Sequence, residues 1–383
     1  MEHQQPSSLE QVTSSTPSGS TSAVPDIPGI NVRPDVKRFV QDQISSIGID
    51  AKRPYRGAQP VSFLKQHLDD LVHEDYFVCE KTDGVRALLY MTRGQNNEPQ
   101  CYFIDRKNYY RYVPGLAFPT RVDAGRWEFH YKTLIDGELV LDIEKDGSRT
   151  LKFLAFDSLA INGTDVRNKP LTKRMGYLDS FVMKPYHQAC RSSPEFARAQ
   201  AFQVELKRME FSYGVPKIFQ DMQSLKHKSD GLIYTSVMAP YAAGTCKKML
   251  KWKPAEENSI DFKLHIDTFP GLIGKPTFQL YVWKGGDEYE YYCDMAVTDH
   301  EWQELRNQQG SLEGRIVEVV YDPNHAPPNV WKLLRFRDDK PHGNHVSVLN
   351  SILESIQQAV TSQELIDKCP EIRTAWKQRP HVT

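Results

Sequence analysis

YFVCEKTDGVRALLYM, from Tyr76 to Met91, reads as two strands about a tight turn. Tyr76 and Val78 alternate with other residues before the turn, and Ala87 to Tyr90 form an apolar run after it. Asp83-Gly84 supplies the turn, and charges flank it at Lys81 and Arg86. Working outward, CYFIDR (Cys101–Arg106), TLIDGELVLDI (Thr133–Ile143) and LKFLAFDSLAI (Leu151–Ile161) carry the same pattern and predict strands. SDGLIYTS (Ser229–Ser236) and KMLKWKP (Lys248–Pro254) predict two more. PLTKRMGYLDSFVM and the stretch after Pro194 predict helices. Short strands mixed with helices indicate an α+β domain with largely antiparallel sheets over residues 35–254.

The character changes after Pro254. Ile260, Phe262, Leu264 and Ile266 alternate, a hairpin is expected around Gly285 and Gly286, and GRIVEVVYD and VWKLLRFR follow. About five strands with little helix predict a small OB-fold β-barrel over residues 255–345. In the C-terminal segment, residues 346–383, Leu349, Ile352, Leu353, Ile356 and Val360 share one helical face. Thr361 and Glu364 read as a capping box opening a second helix. Residues 1–34, rich in Ser, Thr, Pro and Gln, are expected to be a disordered tail.

The 383 residues carry a net charge of −1, so any nucleic-acid contact must come from local basic clusters. Six scattered cysteines show no metal-ligand spacing and predict reduced thiols. No stretch approaches the roughly 18 apolar residues of a membrane span, and no secretory leader is evident. A soluble intracellular protein is expected.

Chemistry concentrates in short blocks. A lysine nucleophile needs a fixed position and a depressed pKa, because a free lysine is only about 0.04% neutral at pH 7. Lys81 in KTDGVR has a strand to hold it and cations to come near it, although a polar surface turn would read the same. Glu138 of DGEL sits inside an apolar strand pattern, where it would accept from sugar hydroxyls; a strand-end turn is the plainer reading. Phe156 of LAFD offers an aromatic face, though such a residue is more often core. Asp230 of SDGLIY is a hard oxygen ligand for a cation. Lys251 and Lys253 share one strand face and suit a phosphate. Arg335, Arg337, Asp339 and Lys340 close the series, the arginines matching phosphate oxygens.

In this order the blocks resemble the covalent nucleotidyltransferase superfamily, which holds mRNA capping guanylyltransferases and polynucleotide ligases. Asp230 in the SDGLIY block, and WxxxRxRxDKxxxN across Trp331, Arg335, Arg337, Asp339, Lys340 and Asn344, resemble the capping branch, in its fungal single-function form. No HCxxGxxR phosphatase loop is present.

The resemblance implies an antiparallel-sheet nucleotidyltransferase domain hinged to an OB domain, with C-terminal helices packing back on the catalytic domain. It implies Lys81 as the nucleophile toward GTP, and Arg86, Arg106 and Glu138 at the ribose. Phe156 would stack on guanine, and Lys207, with Lys184 as runner-up, would donate to guanine O6. Asp230 would hold a divalent metal, Mg2+ or Mn2+. Lys251 and Lys253 would grip the α-phosphate, and Arg335, Arg337, Asp339 and Lys340 the β,γ-phosphates. The implied partners are 5′-diphosphate RNA, a separate RNA 5′-triphosphatase subunit and the phosphorylated C-terminal tail of RNA polymerase II, in the nucleus. Two other readings remain open here: an ATP-dependent polynucleotide ligase, and a non-catalytic docking module for the polymerase tail.

Overall fold

A computed structural model of the chain describes residues 24–51, 57–123, 126–267, 274–307, 310–322 and 330–380. The expected disordered tail lies outside the described residues as far as residue 23. Ordered structure begins earlier than the expected boundary at 34, because Ile30 and Asn31 pair with Tyr112 and Arg111, and a helix starts at Pro34 with proline in its first turn.

The Lys81 strand (Tyr76–Thr82) and the Arg86 strand (Val85–Arg93) flank the Asp83-Gly84 turn as the sequence predicts, but they do not pair with each other. The turn carries the chain from one sheet to another. The Arg86 strand lies in an eight-stranded sheet beside the Glu138 strand (Thr133–Ile143), which pairs in turn with the Phe156 strand (Arg149–Ile161). The Lys81 strand lies in a five-stranded sheet beside the Asp230 strand (Ser229–Ser236), followed by the Lys251 strand (Gly244–Trp252). Pairing within both sheets is antiparallel except at Gln203–Leu206 and Ala58–Ser62. Each sheet has its own apolar cluster. Leu89, Phe103, Ile135, Leu139 and Phe153 pack under the long helical segment that contains Leu178 and Val182. Val78, Leu232, Tyr234, Leu250 and Trp252 pack in the second cluster. The site forms where the two sheets part.

The C-terminal sheet runs in the order Glu288–Asp294, Thr277–Gly285, Ser259–Asp267, Ile316–Tyr321, Trp331–Phe336, all antiparallel. It is a five-stranded sheet with two edges rather than a closed barrel. Between those edges the described residues show one isolated bridge, Ala296 to Lys332. A helix absent from the sequence reading, Asp299–Arg306, follows the Glu288–Asp294 strand and opens with a Thr298/Glu301 capping box.

The two C-terminal helices go to different places, which corrects the expectation that both return to the first unit. Val346–Gln357 packs on the C-terminal sheet through Leu349, Ile352, Leu353 and Ile356. Ser362–Gln378 buries Leu365, Cys369 and Ile372 against Phe63, Leu71 and Tyr76 of the first unit. Val360 falls between the helices and joins the latter cluster, and its carbonyl accepts from the Trp252 indole at 2.7 Å. The Thr361/Glu364 capping box forms as read. All six cysteines are free and five are buried. Among the described residues no helix is long and apolar enough to cross a membrane.

Candidate active site

Lys81 sits at the end of its strand, one residue before the chain leaves for the other sheet. The turn needs glycine at 84, since a Cβ there would lie 2.3 Å from the Leu139 carbonyl oxygen. The Lys81 ammonium donates to Asp230 Oδ1 at 2.6 Å, and the Lys253 ammonium pairs with the other oxygen. Gly231 beside it has φ +151°, and a Cβ there would meet the Trp252 carbonyl oxygen at 2.0 Å. The Asp230 backbone is thereby pressed against the Lys251 strand. Burial raises the Asp230 pKa, but Lys253 and Lys81 outweigh it and hold the carboxyl below its ordinary value. Lys251 lies alongside without a hydrogen-bond partner among the described residues. Partial loss of hydration, then the charges of Lys253 and Lys81, pull its pKa down, with Asp230 opposing. Three ammonium groups around one carboxylate leave an excess of positive charge, suited to a phosphate.

The cavity beside them, about 310 Å³, is lined by Lys81, Lys251, Arg86, Arg106, Glu138, Phe156 and Lys207, among others. Nine sequence-predicted residues therefore converge: these seven and, through the salt bridges at Asp230, Asp230 and Lys253. Phe156 is half-buried, and the Arg86 guanidinium lies 5.3 Å from its ring centroid. Arg86 is fixed from behind by Asp136, Nε to Oδ1 at 3.0 Å, and by the Ala58 carbonyl at 2.6 Å. Lys207 is buried, its Nζ 2.8 Å from Thr82 Oγ1 and 3.3 Å from Glu80 Oε1. Burial lowers its pKa, but Cys79, Glu80 and Glu138 more than offset this, so the net shift is upward and the ammonium stays charged. The Thr82 hydroxyl donates to Glu138, linking the Lys207 and Glu138 ends of the cavity. Arg106 is exposed at the rim. Lys184 is remote, 68% exposed and paired with Asp179 at 2.7 Å. Between the two candidate lysines, the cavity holds Lys207.

The catalytic-domain family model of the mRNA capping enzymes matches residues 23–255, and their C-terminal-domain model matches residues 257–366. The chain is 38% identical to the mRNA-capping enzyme subunit alpha of Schizosaccharomyces pombe, covering 93% of this chain and 90% of that one. The chain belongs to the mRNA capping enzyme family. It is also 35% identical to the subunit alpha of Saccharomyces cerevisiae, covering 93% and 87%. Against the mRNA-capping enzyme of Caenorhabditis elegans it is 26% identical, covering 86% of this chain and 51% of that one.

In this capping-enzyme family member the last block does not reach the cavity. Arg335 donates to Glu318 at 2.7 Å. Arg337 makes a two-pronged pair with Asp339, at 2.9 Å on each side, and touches Asp261 at 3.3 Å and Glu318 at 3.2 Å. Lys340 pairs with Asp261. Asp339, expected at a phosphate, is an anion whose observed work is to orient Arg337. Asp261, 4% exposed, is the hub the sequence reading missed, and Asn344 clamps it through its backbone N–H at 2.8 Å. Trp331 is core, 1% exposed. A second missed layer backs the cavity, where Arg174, 1% exposed, pairs with Asp157 at 2.7 and 2.8 Å and bonds the Ala239 carbonyl. Its sequence signal was faint: an Asp directly after Phe156, inside a strand.

Among the described residues no group of three or more His, Cys, Asp or Glu is placed to hold a metal ion. The phosphate end offers the single carboxylate of Asp230. That donor set fits a magnesium-type ion, which uses one or two carboxylates and takes its other ligands from substrate phosphates and water.

Proposed function

We propose that the chain is an mRNA guanylyltransferase. Lys81 Nζ attacks the α-phosphorus of GTP, forming a P–N bond as the bond to pyrophosphate breaks. It then passes GMP to a 5′-diphosphate RNA end. The observation that carries this reading is the Lys81–Asp230–Lys253 arrangement at a cavity that also holds the charged, buried Lys207. Lys81 must lose a proton to attack; the Asp230 carboxylate at 2.6 Å orients its Nζ, and the proton passes to solvent. Lys251 and Lys253 neutralise the α-phosphate, Arg86, Arg106 and Glu138 face the ribose, and Phe156 stacks on the base. Lys207 donates to guanine O6; against adenine it would meet an amino group, donor facing donor. A divalent metal at Asp230 would supply further neutralisation of phosphate charge.

We read residues 35–254 as the nucleotidyltransferase domain and residues 255–345 as an OB-type domain. The strand order, the helix between the third and fourth strands, and the Ala296 to Lys332 bridge between the edge strands support an OB-type barrel. Arg335, Arg337 and Lys340 would exchange their carboxylate partners for the β,γ-phosphates when the domains close. The reading carries with it a nuclear location, a separate RNA 5′-triphosphatase subunit and the phosphorylated polymerase tail as partners.

Incubation with α-labelled GTP or ATP and a divalent metal, followed by a denaturing gel, tests the reading. GTP should label the chain through an acid-labile bond, and ATP should not. Label retained in Lys81→Ala, or equal labelling by ATP, would sink it.

A further inference from the structure

A second cavity, of about 410 Å³, adjoins the first on the side of Lys251 toward Lys253. One wall carries Lys251 and Lys253; the opposite wall is the face of the Val346–Gln357 helix that bears Ser347, Ser351 and Ser355. Phe63 and Ile352 add apolar surface. Lys251 also lines the first cavity, so a single ammonium without a hydrogen-bond partner among the described residues stands between the two. The serines are not neutral filler. Ser351 donates its hydroxyl proton to the Ser347 carbonyl at 3.0 Å and Ser355 to the Ser351 carbonyl at 2.8 Å. The lone pairs of Ser351 and Ser355 are therefore left to accept from hydroxyl donors, while Ser347 Oγ lies 2.9 Å from His345 Nδ1. One carboxylate, Glu257, shares the cavity with the two lysines. Cations on one wall and acceptor oxygens on the other complement a ligand with phosphates on one side and sugar hydroxyls on the other.

We propose that this interdomain cavity binds the 5′ end of the acceptor RNA, its diphosphate toward Lys251 and its first ribose hydroxyls along the Ser347–Ser351–Ser355 face. The assignment rests on the guanylyltransferase reading and adds the acceptor's location to it. It places the attacking phosphate on the side of Lys251 away from the base, where pyrophosphate has left. It predicts a preference for RNA, because a 2′-hydroxyl gives the serine oxygens a donor that DNA lacks.

Two variants of the full chain test it: Ser351→Trp, which fills the cavity, and the triple change of Ser347, Ser351 and Ser355 to Ala, which removes the acceptors while favouring the helix. Thermal melts establish that both are folded. Lysyl-GMP formation from GTP should stay within about twofold of the parent. Transfer to a 5′-diphosphate RNA oligonucleotide should show a KM raised about tenfold in Ser351→Trp, the scale of one or two lost hydrogen bonds. The triple variant should narrow the preference for RNA over a 5′-diphosphate DNA of the same sequence. An unchanged RNA KM in folded Ser351→Trp overturns the proposal. So does a folded variant in which loading and transfer fall together, since that marks a structural role. Failure of the parent chain to take label from GTP would instead sink the guanylyltransferase reading.

Discussion

Replacing Lys207 with Met removes an ammonium from a side chain that is 4% exposed. Two effects follow and can be separated. The first is on stability. Glu80, 13% exposed, loses its partner at 3.3 Å, and Thr82 loses a donor at 2.8 Å. Breaking a buried pair from one side costs ~3–5 kcal/mol. Glu80 keeps some access to water at the cavity, which puts the loss near the lower end. Truncation at 207 is therefore not neutral to the fold. The second effect is on base choice. A charged donor is worth ~1.5–3 kcal/mol, so the GTP preference in loading should fall by roughly 10- to 150-fold. The assay is the rate of lysyl-nucleotide formation with GTP and with ATP, run below the variant's melting temperature. An unchanged GTP/ATP ratio in folded Lys207→Met would refute the reasoning. So would a loss of selectivity in Lys184→Ala, whose side chain is solvent-facing.

Arg337→Ala should slow lysyl-GMP formation strongly while leaving transfer from preloaded protein near the parent rate; a variant that loads normally but fails to transfer would place Arg337 at the RNA end instead. Arg174→Met should cost ~3–5 kcal/mol at neutral pH, because it strands the buried Asp157 beside a second carboxylate, Asp136. Burial already pushes the Asp157 pKa up, against the pull of Arg174. A carboxyl whose folded pKa lies above its unfolded value near 3.9 weakens the fold increasingly as pH rises past that value, and not below it. Urea unfolding should therefore show the deficit of Arg174→Met growing from about pH 4 to pH 7, and a pH-independent deficit would count against this account.

The positions of Lys81, Asp230 and Lys251 on strands could be read from their own short blocks, because strand alternation is a local pattern. What the blocks could not carry was who stands behind them. Arg86 depends on Asp136 and Arg174 on Asp157, pairs formed between neighbouring strands or between strand and helix. An aspartate inside TLIDGELVL looks locally like a turn and is explained only by a cation from another element. KTDGVR likewise reads as a hairpin, since the strand pattern on each side is right. The parting of the strands into two sheets depends on distant partners: Glu138 pairs with Arg86, and Asp230, 149 residues away, with Lys81. The barrel expectation stopped at an open sheet for a related reason: alternation predicts strands but not whether the last edge meets the first. The helix at Asp299–Arg306 was missed although its Thr298/Glu301 box repeats the signal read correctly at Thr361/Glu364.

The passage of the chain out of the first unit and back bears on how it is made. The cluster under the Asp230 and Lys251 strands is completed by Leu365, Cys369 and Ile372, which are synthesised more than a hundred residues after Trp252. A ribosome adding roughly 5–20 residues per second leaves that cluster uncovered for about 6–25 s. During this wait Tyr234 and Trp252 present their apolar faces to the cytosol, while the C-terminal sheet has all its strands in hand and can form first. The nascent chain thus holds a client surface for chaperones, and a stop codon late in the reading frame, removing only the last helix, would leave that surface uncovered for good.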